Sequence, residues 1–118
     1  MDLSAKLQIK PGQRVATVAG PGSVPVVAPE GAETASPEAA EVVVAFVRTR
    51  AELDTVAAPA LDAARHDKLA WIAYPKAGKL GTDLNRDILR ETLADRGVQP
   101  VRQVAIDDVW SALRFRPA

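Results

Sequence analysis

The sequence of 118 residues contains no cysteine, a single histidine and few aromatic residues, namely two Trp, one Tyr and two Phe. The lack of cysteine excludes disulfides, thiolate metal sites and thiol nucleophiles together. One histidine, His66, is too few for a His-rich zinc site, so no metal site is predicted. The scarcity of aromatic rings argues against a stacking surface for single-stranded nucleic acid.

An excess of charge and a long apolar run are also missing. Fifteen Lys and Arg balance fifteen Asp and Glu, so no overall field favours nucleic acid or an anionic membrane surface. No uninterrupted apolar run approaches the roughly 20 residues that span a bilayer, and Met1–Lys6 lacks the pattern of a secretory signal. We therefore expect a cytoplasmic protein without nucleic-acid or membrane partners.

The length predicts one domain over residues 1–118. Residues 20–41 hold four of the nine prolines and three of the seven glycines, which predicts an irregular loop packed over the domain. The apolar segments on either side, Arg14–Ala19 and Val42–Val47, are typical of strands. Because Val42–Val47 is apolar at every position, we expect it to be buried on both faces, as in a parallel sheet covered by helices.

Helix and strand signals alternate after this strand. The Thr49-x-x-Glu52 spacing is that of a capping box and predicts a helix start. Pro59 is expected to open a second helix that ends near Arg65. The apolar run Leu69–Tyr74 predicts the next strand, which we expect to lie parallel to the preceding strand.

The last third of the chain predicts one helix and a hairpin. Thr82 is the expected N-cap of a helix that ends near Arg96, and Gly97 is the expected stop signal. A polar turn at Asp107-Asp108 joins the predicted strands Pro100–Ile106 and Ser111–Arg116, and so short a connection means that they are expected to pair antiparallel. The whole pattern predicts an α/β fold, a three-layer sandwich whose mostly parallel sheet ends in an antiparallel hairpin.

The candidate ligand site lies where Leu69–Tyr74 ends. A strand, a Gly/Lys loop and a helix start follow one another here, and α/β proteins build ligand crevices in this order because backbone N–H groups and the helix dipole face one gap. Lys76 and Lys79 can neutralise a phosphate or a carboxylate, and the Thr82 hydroxyl can complete the cradle. A small anionic ligand is therefore a candidate partner.

Several of these residues have a second interpretation. The loop and Thr82 can also form an ordinary capped helix beside a solvated basic loop. Tyr74 can donate a hydrogen bond at the crevice or close the apolar core. Asn85 and Arg86 can face the crevice or the solvent, where Arg86 would form surface ion pairs. His66 is interpreted as structural, since it lies at a helix end where it can stabilise exposed carbonyls.

Residues 7–22, with Lys-Pro-Gly before the first strand and Gly20-Pro-Gly22 after it, resemble the opening of a Rossmann-like S-adenosylmethionine-dependent methyltransferase. The order of elements from Val42 to Phe115 is similar to the second half of that fold. The resemblance implies a shortened Rossmann-like sheet. The sequence departs from the family because no acidic residue precedes the glycines and Pro21 removes one N–H that should face the cofactor. No cofactor is therefore predicted.

A second resemblance rests on Lys-Pro-Gly-Gln near the N-terminus, the Val-rich strand, and Trp-Ile-Ala-Tyr-Pro-Lys-Ala-Gly-Lys at 71–79. This combination is similar to a small, single-domain bacterial family of unknown function. The resemblance covers nearly the whole chain and is most specific over Trp71–Asp87. It implies no particular activity.

The sequence thus favours a non-catalytic interaction or regulatory module, with a second copy of the chain, joined through an edge strand or the hairpin, as a candidate partner. The alternative is a binder of small molecules or nucleotides, or a minimal S-adenosylmethionine-dependent methyltransferase. The candidate ligand-binding residues are Gly20, Gly22, Tyr74, Lys76, Lys79, Thr82, Asn85 and Arg86. No catalytic residue is predicted.

Overall fold

One sheet runs through the part of the chain that the computed structural model describes, which comprises residues 7–10, 12–19, 33–34, 36, 38–76, 81–106 and 108–118. The sheet has six strands in the order β2-β1-β3-β4-β6-β5. The strands are β1 Arg14–Ala19, β2 Glu33–Thr34, β3 Val42–Phe46, β4 Leu69–Pro75, β5 Val98–Ala105 and β6 Trp110–Pro117. β2 has two residues only, so five strands of normal length make up most of the sheet.

The strand pairing is mixed rather than mostly parallel. β1 pairs in parallel with β2 and β3, and β3 pairs in parallel with β4. β6 is antiparallel to both of its neighbours, β4 and β5. The short connection between β5 and β6 allows only an antiparallel hairpin. The hairpin joins the rest of the sheet through β6, which pairs antiparallel with β4. The prediction of a mostly parallel, Rossmann-like sheet is therefore wrong.

The helices pack on one face of this sheet. They are α1 Ala58–Arg65 and α2 Arg86–Ala94, preceded by a 3₁₀ helix at Arg50–Asp54. Leu61 of α1 and Leu89 of α2 lie in the same apolar cluster as Val43 and Ala45 of β3. Alternate residues of a strand point to the same face, so this cluster defines the helical side of the sheet.

The opposite face is covered differently. Val42 and Val44 of β3 lie there with Trp71 of β4, and Leu7 and Ile9 pack over them from the N-terminal segment. Neither α1 nor α2 contributes to this second cluster. The predicted three-layer sandwich is therefore wrong for the described residues, which form a sheet with helices on one side. An apolar strand shows that both faces are buried, but it does not show what buries them.

One predicted capping interaction does not form, whereas one predicted stop signal does. Thr49 makes no side-chain capping bond to the 3₁₀ helix, and the Glu52 carboxylate accepts a 2.7 Å hydrogen bond from the Arg48 N–H instead. Gly97 ends the last turn after α2, with a φ of +81° that favours glycine. Most of the predicted loop 20–41 lies outside the described residues, and within it Glu33–Thr34 forms β2.

Candidate functional site

A polar cavity lies where β4 ends, beside the first turn of α2. The Lys76 N–H donates a 2.7 Å hydrogen bond to the Val109 carbonyl, and Tyr74 pairs with Ser111 in the ladder. The end of β4 is thereby attached to the start of β6. The cavity has a volume of about 240 Å³ and is lined by Tyr74, Lys76, Asn85, Arg86, Asp87, Gln103 and Ser111. We call it the inner cavity.

Four predicted residues meet in the inner cavity: Tyr74, Lys76, Asn85 and Arg86. They come from the end of β4 and from the beginning of α2. The order of strand, loop and helix is sufficient to bring them together, because the helix starts beside the strand end that precedes it. The structure therefore places half of the predicted ligand-binding set around one volume.

Tyr74 is the most deeply buried of these residues, with 3% of its surface exposed. Its phenol oxygen accepts a 3.3 Å hydrogen bond from Gln103 Nε2, and Gln103 Oε1 accepts a 3.5 Å bond from Arg86 Nη1. An arginine can only donate, so the Gln103 oxygen must face Arg86 and its NH₂ group must face Tyr74. The Tyr74 O–H proton is then directed away from Gln103 and can be donated to an acceptor in the inner cavity.

The protonation of Tyr74 follows from its surroundings. Burial raises the pKa of the phenol above its ordinary value, because the phenolate would lose hydration. The positive charge of Arg86 opposes this rise in pKa, whereas the negative charge of Asp87 adds to it. At neutral pH the group is therefore a neutral O–H donor beside the cavity.

Asn85 fixes the start of α2. Its Oδ1 accepts a 2.8 Å hydrogen bond from the Ile88 N–H, and its extended backbone is that of an N-cap. The prediction that the helix starts after Thr82 is therefore wrong, since α2 begins at Arg86. The corrected start places the positive end of the helix dipole at the inner cavity.

Thr82 lies outside the lining of the inner cavity. Its hydroxyl donates a 2.7 Å hydrogen bond to the Arg48 carbonyl and accepts a 3.0 Å bond from the Leu84 N–H. The neighbouring Asp83 accepts a 2.9 Å bond from the Arg50 N–H. These contacts attach the segment before α2 to the chain that follows β3. Thr82 therefore positions the loop, which corrects its predicted place in the ligand cradle.

The charges at the start of α2 are only loosely paired. The Asp87 carboxylate is 3.7 Å from Arg86 Nε and 3.6 Å from Arg90 Nη2. About 60% of each arginine side chain is exposed. Exposed pairs at such distances contribute little stability, because water screens them and the long side chains stay free to move. Both guanidinium groups can thus turn to a further acceptor.

A second volume adjoins the inner cavity. It measures about 400 Å³ and shares Arg86 and Gln103 with the inner cavity. Its other lining residues are Arg90, Pro100, Arg102 and Leu113. We call it the outer groove. Besides Arg102, which borders the outer groove from the edge strand, the two volumes are lined by three cationic residues, Lys76, Arg86 and Arg90, and by one carboxylate, so their joint field favours anions.

Sequence reasoning did not single out Gln103 and Ser111. Both lie in the hairpin, and they reach the site because β6, not a further parallel strand, pairs with β4. Ladder register pairs Ser111 with Tyr74 and with Ala105. The polar Ser111 among the apolar residues at the start of β6 was the available signal, but only strand pairing relates it to Tyr74.

The remaining predicted residues are elsewhere. Gly20, Gly22 and Lys79 lie outside the described residues. His66 follows α1 and lines a separate cavity of about 460 Å³, and its Nδ1 lies 2.8 Å from the Asp62 carbonyl. This contact with its own helix end agrees with a structural interpretation. Among the described residues, no group of three or more His, Cys, Asp or Glu side chains is suited to hold a metal ion.

Comparison with known proteins adds no family. No protein-family model matches the chain, and no curated protein or solved structure matches it significantly. The two resemblances drawn from the sequence thus stay predictions. The described helices are too short or too polar to cross a membrane.

Proposed function

We propose that this domain is a non-catalytic binding module that holds the acidic group of a small molecule in the inner cavity. The observation that carries the proposal is Tyr74, a buried residue whose phenol oxygen accepts from Gln103 and whose O–H can therefore donate towards the inner cavity. Buried polar groups normally have hydrogen-bond partners. An acidic oxygen in the inner cavity is a stronger acceptor for this O–H than water, because it is charged.

The other lining groups suit the same ligand. Lys76 contributes an ammonium group and Arg86 a planar guanidinium that can bind two oxygens at once. Ser111 is 6% exposed and offers a hydroxyl. The N-terminal end of α2 adds a favourable dipole. A carboxylate or a phosphate is the chemical group that these donors have in common.

The lining favours binding over catalysis. The single carboxylate in the described lining, Asp87, has Arg86 and Arg90 nearby and is more than half exposed. A general base instead requires a position within hydrogen-bond reach of a nucleophile and a pKa near the working pH. The only histidine of the chain, His66, lines a different cavity. The donors therefore serve to hold and orient an anion.

Association through the edge strand β5 has less support than ligand binding. Pro100 cannot donate a ladder bond, the register shifts between Pro100 and Arg102, and Arg102 adds a charge at the edge. Val101, which is 48% exposed, is the one large exposed hydrophobic residue among those described. The proline, the register shift and the charge discourage edge-to-edge pairing, and a single exposed valine is ordinary on a protein surface. The predicted homodimer remains a prediction that sedimentation of the purified chain tests.

The experiment measures binding of small anions to the intact chain by thermal shift and calorimetry. The probes are butyrate, inorganic phosphate and a set of nucleotides. A ligand at 100 times its Kd stabilises the fold by about 2.7 kcal/mol, which shifts the melting temperature measurably. We expect at least one probe to bind, with Lys76→Gln and Tyr74→Phe each weakening its affinity several-fold.

Arg116→Gln is the matched control. It removes one positive charge from β6 at a site where Arg116 pairs with Asp67, away from the inner cavity. Its anion affinity should equal that of the wild type. Absence of binding by every probe, or equal weakening by Lys76→Gln and Arg116→Gln, would contradict the proposed site.

A further inference from the structure

We infer that the ligand carries two acidic groups, one held in the inner cavity by Tyr74 and Lys76 and the other held in the outer groove by Arg90. This inference rests on the proposed function and adds the ligand class. The two volumes share Arg86 and Gln103, so they form one continuous surface with a junction at these two side chains. A single molecule can therefore contact both volumes.

The register of β6 sets the separation of the two subsites. Ser111 lines the inner cavity and Leu113 lines the outer groove. Residues two apart in a strand share a face and are spaced by roughly 7 Å. The two acidic groups should thus be joined by a short chain of a few atoms.

The residues between the two subsites indicate the chemistry of the linker that joins the two acidic groups of the ligand. Leu113 is 2% exposed and, with Pro100, gives the outer groove an apolar floor. Gln103 lies at the junction, where Arg86 Nη1 donates to its oxygen. A short apolar linker fits this floor, and Arg86 can contact either acidic group. The ligand class is therefore a small molecule with two acidic groups, such as a dicarboxylate or a compound with two phosphate groups.

Arg90 is the cation assigned to the outer acidic group. It lies one turn after Arg86 on α2, and its closest acidic neighbour is Asp87 at 3.6 Å, an exposed and weak pair. Arg102 also borders the outer groove, but it pairs with Arg114 in the ladder, one position before the Gln103–Leu113 pair. Alternation directs Arg102 to the other face of the sheet. Arg90 is therefore the better test residue.

The test uses calorimetry at constant ionic strength to compare one-group probes, which carry one acidic group, with matched two-group probes, which carry two. Glutarate is measured against butyrate, and pyrophosphate against inorganic phosphate, so that carboxylate and phosphate ligands are distinguished. The proteins are the wild type, Arg90→Gln, Lys76→Gln and the control Arg116→Gln. Circular dichroism and melting curves confirm that each variant is folded.

We expect at least one two-group probe to bind the wild type at least tenfold more tightly than its one-group counterpart. Arg90→Gln should reduce the affinity of that two-group probe to the level of its counterpart and leave the affinity of the counterpart unchanged. Lys76→Gln should weaken both, and Arg116→Gln neither. If each two-group probe binds no more tightly than its counterpart, or if Arg116→Gln removes the difference as Arg90→Gln does, the two-subsite inference is overturned while the proposed function stands. Failure of these four probes and of the nucleotides to bind overturns both.

Discussion

The indole Nε1 of Trp71 donates a 2.9 Å hydrogen bond to the main-chain carbonyl of Leu7, 64 residues earlier in the sequence. Both residues are fully buried. The bond attaches the N-terminal segment to the face of the sheet that α1 and α2 leave uncovered. It satisfies a carbonyl that would otherwise be buried without a donor, and such a carbonyl destabilises a fold.

Trp71→Phe should therefore lower the free energy of unfolding by about 1–3 kcal/mol, the cost of leaving a buried carbonyl without a partner. Urea denaturation of the purified chain measures the change. In the wild type, the Trp71 indole N–H should also exchange slowly with solvent in proton NMR. A variant within about 0.5 kcal/mol of the wild type would show that this bond does not hold the segment in place.

Asn85→Ala should destabilise the fold by about 1 kcal/mol, because the Ile88 N–H loses its capping oxygen. Asn85→Ser supplies a capping oxygen at the same position and should recover most of the loss. Thermal denaturation without ligand compares the three proteins. Equal losses for the alanine and serine variants would mean that Asn85 contributes something other than the cap.

Because of Tyr74, the free energy of unfolding should fall as the pH rises into the alkaline range. The folded pKa is raised above the ordinary value of 10.0, so above that pH the unfolded chain releases the phenol proton more readily than the folded chain does. The unfolded state then binds fewer protons, and stability falls as pH rises. Below pH 10.0 the contribution is fully present.

The measurement of this effect is direct, because Tyr74 is the only tyrosine in the chain. Phenolate absorbance should rise at a higher pH in the folded protein than in urea. Tyr74→Phe should lose less stability than the wild type over the same alkaline range. A folded protein that titrates at the same pH as the unfolded one would refute the burial effect on Tyr74.

The positions of β1, β3 and β4 were predictable because each is a short, mostly apolar run bounded by turn residues. Arg14–Ala19 was predicted at the bounds that the structure shows, and Leu69–Tyr74 falls one residue short of β4.

The start of α2 could not be predicted from local pattern alone. Thr82 and Asn85 can each cap a helix, and the choice depends on the Arg48 carbonyl, which holds the Thr82 hydroxyl from a distant part of the chain.

The part of the candidate site that comes from neighbouring sequence positions was predictable. Tyr74, Lys76, Asn85 and Arg86 are close in sequence, so their grouping follows from a strand, a loop and a helix in succession. Gln103 comes from the hairpin and could not be assigned to the site before the pairing of β6 with β4 was known.

The sequence by itself determined roughly where every strand but β2 lies, that the last two form a hairpin, and which local residues stand at the end of β4. These are local properties, set by apolar periodicity and by turn residues within a few positions. Only the tertiary structure decided the mixed strand pairing, the covering of one face by Leu7 and Ile9, and the position of Gln103 beside Tyr74. Those features depend on contacts between segments far apart in the chain, which local periodicity does not specify.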